Sequence, residues 1–140
     1  MNAERVFVDT NILYYAFDRF GGAKRERARE RLDGLWEEDR GALSLQVLQE
    51  FFHNCARKLA EPNALALARE ALTLYRPWLR EATTLDTVLR ATQLMELAQL
   101  SFWDALIVAS AAEAGAATLL TEDLSHGQVI AGVRIENPFR

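Results

Sequence analysis

Short apolar runs of strand length alternate along this chain with longer stretches whose apolar residues recur at helical spacing, and that alternation leaves few folds open. Val6–Val8 is a first run ending at Asp9, followed by a helical turn over Leu13–Phe17 and a break at Gly21 and Gly22. A helix is predicted from Lys24 to Glu38, with Ala28, Leu32, Leu35 and Trp36 on one face. Gly41 opens a second strand through Ser44. The next helix, Leu45–Leu59, carries Leu48, Phe51, Phe52, Cys55 and Leu59 at helical spacing and leaves Glu50 off that stripe. Pro62 suits the first turn of a helix that bears Leu65, Leu72 and Tyr75 and ends near Pro77. A third strand is read at Ala82–Leu85. From Asp86 a helix runs to Ala98, and Ser101 with Asp104 resembles a capping box for a helix through Ala114, stopped at Gly115. Ala117–Thr121 and Val133–Glu136 supply the remaining strands.

With no linker, repeat or low-complexity segment, this order predicts one α/β domain over residues 1–140. Its form is a three-layer α/β/α fold, with a short central parallel sheet of four to five strands flanked by helices. In such sheets ligands bind beyond the carboxyl ends of the strands. A chain of 140 residues with 50% hydrophobic residues can bury a sizeable core. No run approaches the ~20 apolar residues of a membrane span, and no basic-then-apolar signal pattern opens the sequence. A soluble cytoplasmic protein without a membrane partner is expected.

Four carboxylates stand where an unpaired charge is costly: Asp9, Glu50, Asp104 and Asp123. Asp9 and Asp123 follow strands, Glu50 lies in the second turn of the helix after the second strand, and Asp104 lies at a helix start, where the macrodipole favours it. One rim can therefore gather all four. A hard divalent cation, Mg²⁺ or Mn²⁺, would turn their repulsion into attraction. The lone Cys55 excludes an internal disulfide, and His53 and His126 are too few for a zinc site of nitrogen and sulfur, so any metal must be held by oxygen. Each carboxylate also has a plainer reading: Asp9 as a turn or N-cap residue, Glu50 as a surface charge, Asp104 as a cap, Asp123 as a turn residue before Gly127.

The net charge of −4 sits awkwardly with a polyanionic ligand. Yet all but Lys24 and Lys58 of the 16 basic residues are Arg, and Lys24, Arg25, Arg27, Arg29 and Arg31 crowd together, as a nucleic-acid-facing strip or as a solvated face paired with Glu26 and Glu30. Other chemistries with a strand-end Asp fit poorly. A haloacid-dehalogenase-type phosphatase needs a second carboxylate where Asn11 stands, a receiver domain needs paired acids before its phosphoacceptor strand and a late lysine, and no Gly-rich phosphate loop occurs.

Asp-Thr-Asn at 9–11, the mid-chain Glu50, Phe-Trp-Asp-Ala-Leu-Ile at 102–107 and Thr-Glu-Asp at 121–123 together resemble the PIN-domain family, and most of all the VapC toxins of prokaryotic VapBC toxin–antitoxin modules. The likeness spans nearly the whole chain, in order. It implies a metal-dependent endoribonuclease in which Asp9, Asp104 and Asp123 ligate Mg²⁺ or Mn²⁺ directly, while Glu50 binds through water or orients the attacking one. Thr10, Asn11 and Thr121 are candidate supporting residues that bond carboxylates or phosphate; capping or turn formation accounts equally well for Asn11 and Thr121. Glu122 is expected outside the ligand set. His53 is read as structural, and Trp36, Trp78 and Trp103 as core or interface anchors.

The resemblance further implies an RNA substrate, a VapB-like antitoxin and a homodimer. The dimer would use apolar residues of the last two helices, and the antitoxin an apolar channel among residues 13–17, 24–36 and 48–59. A housekeeping RNA-processing nuclease without antitoxin and a non-catalytic PIN module are the alternatives.

Overall fold

The computed structural model describes residues 4–80 and 82–140. Strand β1 (Arg5–Val8) runs into helix α1 (Thr10–Phe17), then α2 (Ala23–Glu38), β2 (Gly41–Ala42), α3 (Leu45–Lys58) and α4 (Ala64–Leu74). A 3-10 turn over Arg76–Trp78 precedes α5 (Leu85–Ala98), α6 (Phe102–Glu113), β3 (Ala116–Leu120), β4 (Val129–Ile130) and β5 (Val133–Glu136). The sheet order is β2-β1-β3-β5-β4. All pairings are parallel except that of β4 with β5. From β1 the chain moves to β2 on one side and returns through β3 on the other, so a topological switch point falls between β1 and β3. The central sheet, flanked by helices α1 to α6 among the described residues, is the predicted α/β/α architecture.

Central strands buried on both faces read as continuous apolar runs. Val6, Phe7, Val8, Leu119, Leu120 and Ile135 are all buried, and α2 adds Ala28, Leu32 and Leu35 to the same core. Trp36 packs 4.6 Å from Trp78, which in turn meets Tyr75 edge-on at 4.9 Å. Trp78 lies against Gly41, where any Cβ would overlap the indole. A strand this short is thus fixed by a glycine that lets an aromatic ring touch backbone. Gly115, at φ +72°, ends α6 as predicted.

Several boundaries differ from expectation. No strand forms at Ala82–Leu85: Thr84 caps α5, its N–H bonding Thr87 Oγ1 while Thr87 N–H bonds Thr84 Oγ1, and Leu85 is 72% exposed. Threonines that look β-forming serve a capping box instead. Only Leu79 bridges to Leu43 nearby. The second strand stops at Ala42 because Ser44 turns to cap α3 through the Val47 N–H. Pro62 lies ahead of α4 rather than in it, and that helix buries Ala68 and Ala71 while leaving Leu65 exposed. Among the described residues no single helix is long and apolar enough to cross a membrane.

Candidate active site

Asp9 and Thr121 are brought side by side by the sheet itself. The Asp9 N–H donates to the Leu120 carbonyl (3.0 Å) and the Thr121 N–H to the Glu136 carbonyl (3.0 Å), so both residues extend the ladder one step past the strand ends. Thr121 Oγ1 then donates to Asp9 Oδ2 at 2.8 Å. Asp9 Oδ1 accepts the Thr10 N–H at 2.7 Å, capping α1. The plain role of Asp9 as an N-cap and its place in the acidic group therefore coexist.

The other carboxylates are oriented from the same centre. Asp123 N–H bonds Thr121 Oγ1 (3.1 Å), and Asp123 Oδ2 accepts from Asn11 Nδ2 (2.9 Å), which also reaches Thr121 Oγ1 at 3.4 Å. Glu50 Oε1 accepts from Thr10 Oγ1 at 2.7 Å. Asp104 sits in the first turn of α6, its N–H bonded to Ser101 Oγ (3.1 Å), but its carboxylate does not close the predicted box. Asp9, Glu50, Asp104 and Asp123 all line one cavity of about 740 Å³ at the carboxyl ends of β1 and β3, together with Thr10 and Asn11.

The electrostatics of this group are unfavourable as it stands. Burial, reinforced by the charges of Asp123 and Glu50, pushes the Asp9 carboxyl from 3.8 up to about 7, against the hydrogen bonds from Thr121 and Thr10. Asp123 is also raised, by burial first and then by Asp104 and Glu122, with Asn11 opposing. Among the described residues no Lys or Arg lies within 4.0 Å of any of the four carboxylates. Glu122 is a contrast: burial works against its charge, but Lys24 (2.8 Å) and the Tyr15 hydroxyl (2.6 Å) outweigh it and hold its pKa down. Its charge is already balanced, so it has no need of the cavity.

An uncompensated set of hard oxygen donors fits a hard divalent cation. The fit is of a particular kind. Among the described residues no three of His, Cys, Asp or Glu close to metal-ligating geometry. An ion that keeps several waters and takes one or two carboxylates, as Mg²⁺ does, suits such a ring better than an all-protein cage.

Other predicted residues fall differently. His53 is exposed on the cavity wall, where it has no packing role. Trp36 and Trp78 belong to the core, whereas Trp103 is 61% exposed at the cavity rim. Three residues of the basic strip make separate intramolecular contacts: Arg27 bonds the Pro138 carbonyl (3.0 Å), Arg29 the Ala16 carbonyl (2.8 Å), and Arg31 pairs with Glu136 (3.2 Å). Sequence reasoning missed Gln46, whose buried amide donates to Glu50 Oε2 and to the Trp103 carbonyl, both at 3.4 Å. Its position one helical turn before Glu50 was the available signal.

The PIN domain family profile matches residues 6–129. No curated protein sequence matches the chain. Among solved structures, the fold is similar to a toxin–antitoxin complex from Klebsiella pneumoniae (24% identity, 95% of this chain and 97% of that one, TM-score 0.68). It is also similar to DNA-bound VapBC from Salmonella typhimurium (22%, 97% and 99%, TM-score 0.65). A Mycobacterium tuberculosis VapC toxin described as cleaving the sarcin-ricin loop is similar as well (23%, 81% and 86%, TM-score 0.62). At these identities the likenesses establish the fold alone. The sequence profile, which runs from the first strand to the fourth, goes further: the chain belongs to the PIN domain family.

Proposed function

We propose that this protein is a Mg²⁺- or Mn²⁺-dependent endoribonuclease, the toxin of a type II toxin–antitoxin pair. The observation that carries the reading is Asp9: a carboxylate buried at a strand end, without a cationic partner among the described residues, in a cavity rimmed by Glu50, Asp104 and Asp123. Asp9, Asp104 and Asp123 would hold the cation, directly or through its waters. The bound ion supplies a nucleophilic water at neutral pH and offsets charge on the scissile phosphate.

The chain's own residues do the rest. Thr10 and Gln46 fix both Glu50 oxygens, so that carboxylate is aimed to orient the attacking water and take its proton. Asn11 and Thr121 hold Asp123 and Asp9 in place before substrate arrives, which keeps reorganisation small. Water oxygen bonds to phosphorus as the bond to one ribose oxygen breaks, and the departing oxygen leaves with a proton.

The test is cleavage of a mixed-sequence RNA pool by the purified protein. Cutting should need Mg²⁺ or Mn²⁺, stop with chelator, and be lost in Asp104→Asn with the fold intact. Cleavage that persists in chelator, or in that variant, overturns the assignment.

The partner reading rests on the relatives, whose solved structures include complexes with antitoxins. Of the residues expected to form the channel, those of α1 and α2 pack largely into the core, whereas α3 keeps Leu48 and Phe52 beside open surface. An apolar groove of about 540 Å³ runs instead between α3 and α4, lined by Leu45, Leu48, Phe52, Leu72 and Leu79. It suits an amphipathic antitoxin helix with i, i+3, i+4 anchors. Leu85, Leu89 and Leu97 on α5, with Trp103 on α6, form the apolar surface through which a homodimer would pack. Expression from the native operon tests both: recovery of the protein alone and monomeric favours a housekeeping nuclease.

A further inference from the structure

The cavity that holds the acidic group does not end with it. Along α3 its wall continues through Gln49, His53 and Asn54 to Lys58. Lys58 is the only Lys or Arg among the described residues that line this cavity. Elsewhere on the wall are six acids; Glu122 is balanced by Lys24, and the other five, Asp9, Asp18, Glu50, Asp104 and Asp123, repel a polyanion unless something local attracts it.

Three features set Lys58 apart from an ordinary surface lysine. Its Nζ lies 4.7 Å from the centre of the Tyr14 ring, which belongs to the same wall, so the ammonium is turned toward the cavity. No carboxylate stands within 4.0 Å of it among the described residues, so no ion pair holds its charge. Arg57 also sits in the last turn of α3 but does not line the cavity. Complementing the helix dipole therefore requires nothing of Lys58 in particular. Lys58 follows Glu50 by two helical turns, roughly 12 Å along the axis at about 1.5 Å per residue. That is too far for the phosphate being cut and suitable for a neighbouring one.

We propose that Lys58, with Asn54 and His53 beside it on α3, binds a backbone phosphate flanking the scissile one, so that an RNA strand enters the acidic centre along α3. The proposal rests on the ribonuclease reading and gives it a direction. Lys58 is a binding residue, remote from the reacting atoms; its contact is shared by ground and transition states.

The experiment uses the full chain and single-stranded oligoribonucleotides drawn from whatever the wild-type protein cleaves in the mixed-sequence pool. Lys58→Ala should raise KM by about tenfold with kcat nearly kept, and should flatten the log–log salt dependence of kcat/KM by roughly 0.7. Lys58→Arg should restore most of the loss, and Arg57→Ala should change neither quantity. On an oligonucleotide whose flanking phosphate is replaced by a neutral methylphosphonate, the Lys58→Ala penalty should vanish. If the wild type cleaves RNA while Lys58→Ala leaves KM and slope unchanged, the subsite is wrong and the nuclease reading stands. If Lys58→Ala weakens only the association with a co-expressed antitoxin, Lys58 serves a protein carboxylate and the proposal falls. If the wild type neither binds nor cleaves RNA, both readings fall together.

Discussion

Replacing Asp9 by Asn should stabilise this protein in the absence of metal, and only above a definable pH. The folded-state pKa is about 7, against 3.8 for the free side chain. Between those values the native state keeps a proton that the unfolded chain has released, so stability falls as pH rises through that window and levels off above it. At about 1.4 kcal/mol per pH unit, the ionised carboxylate costs on the order of 4 kcal/mol at pH 8. An Asn amide can accept from Thr10 N–H, but its NH₂ meets a Thr121 Oγ1 that already accepts from Asp123 N–H and Asn11 Nδ2, a mismatch that costs about 1–2 kcal/mol relative to the protonated carboxyl. The net gain is about 2–3 kcal/mol, or on the order of 5–10 °C in Tm for a domain of this size. Thermal melts of wild type and variant in chelator, from pH 4.5 to 8, read it directly. The two should nearly coincide at the acid end and separate at the alkaline end. Saturating Mn²⁺ should then raise the wild-type stability, by about 2.7 kcal/mol at a hundredfold excess over Kd, and leave the variant unmoved. A variant that is destabilised equally at pH 5 and pH 8 would refute the view of Asp9 as a strained carboxylate awaiting a cation.

Three further outcomes are expected. Thr121→Val keeps the buried volume but removes the donor to Asp9, so it should weaken Mn²⁺ affinity several-fold by titration calorimetry with little change in fold. Gly41→Ala forces a Cβ into the Trp78 ring and should cost about 1–3 kcal/mol or more by urea unfolding; an unchanged midpoint would mean β2 is not pinned as described. Arg27→Ala with Arg31→Ala should lower Tm by a few degrees, since both partly exposed side chains tie α2 to the chain at and just beyond the end of β5, a contribution of ~1 kcal/mol together. Its KM and salt slope for RNA should stay as in wild type; a rise in KM would restore the basic strip as an RNA surface.

Much of this architecture was legible in the sequence because its elements are locally consistent. Val6–Val8 and Ala117–Thr121 are largely apolar and fixed by burial, Val133–Glu136 alternates buried Val133 and Ile135 with polar residues, and α2, α3, α5 and α6 carry periodic apolar faces or clear stops such as Gly115. The failures have a common cause. Thr84 and Ser44 look like strand residues until their hydroxyls are seen capping helices, a choice made by geometry that composition does not encode. Leu65 and the small residues Ala68 and Ala71 reversed roles because α4 turns its alanines, not Leu65, to the core. At the site, the carboxylates could be picked out singly, but the hydrogen bonds that orient them could not. Gln46 is a short-range neighbour of Glu50, whereas Thr121 and Asp9 are 112 residues apart and meet only through the sheet. The arginines of α2 read two ways from sequence because their partners, Pro138, Ala16 and Glu136, are likewise brought in by the tertiary fold.

The claim that the acidic cavity directs water at phosphorus is tested most directly by the chemistry of the new RNA ends. With Mg²⁺ or Mn²⁺ in H₂¹⁸O, a single turnover should place one ¹⁸O in the terminal phosphate of one fragment, leave a free hydroxyl on the other, and produce no 2′,3′-cyclic phosphate. Both products should vanish in Glu50→Gln and Asp104→Asn. Cyclic-phosphate ends without ¹⁸O would show attack by the ribose 2′-hydroxyl and contradict the proposed roles of Asp9, Glu50, Asp104 and Asp123.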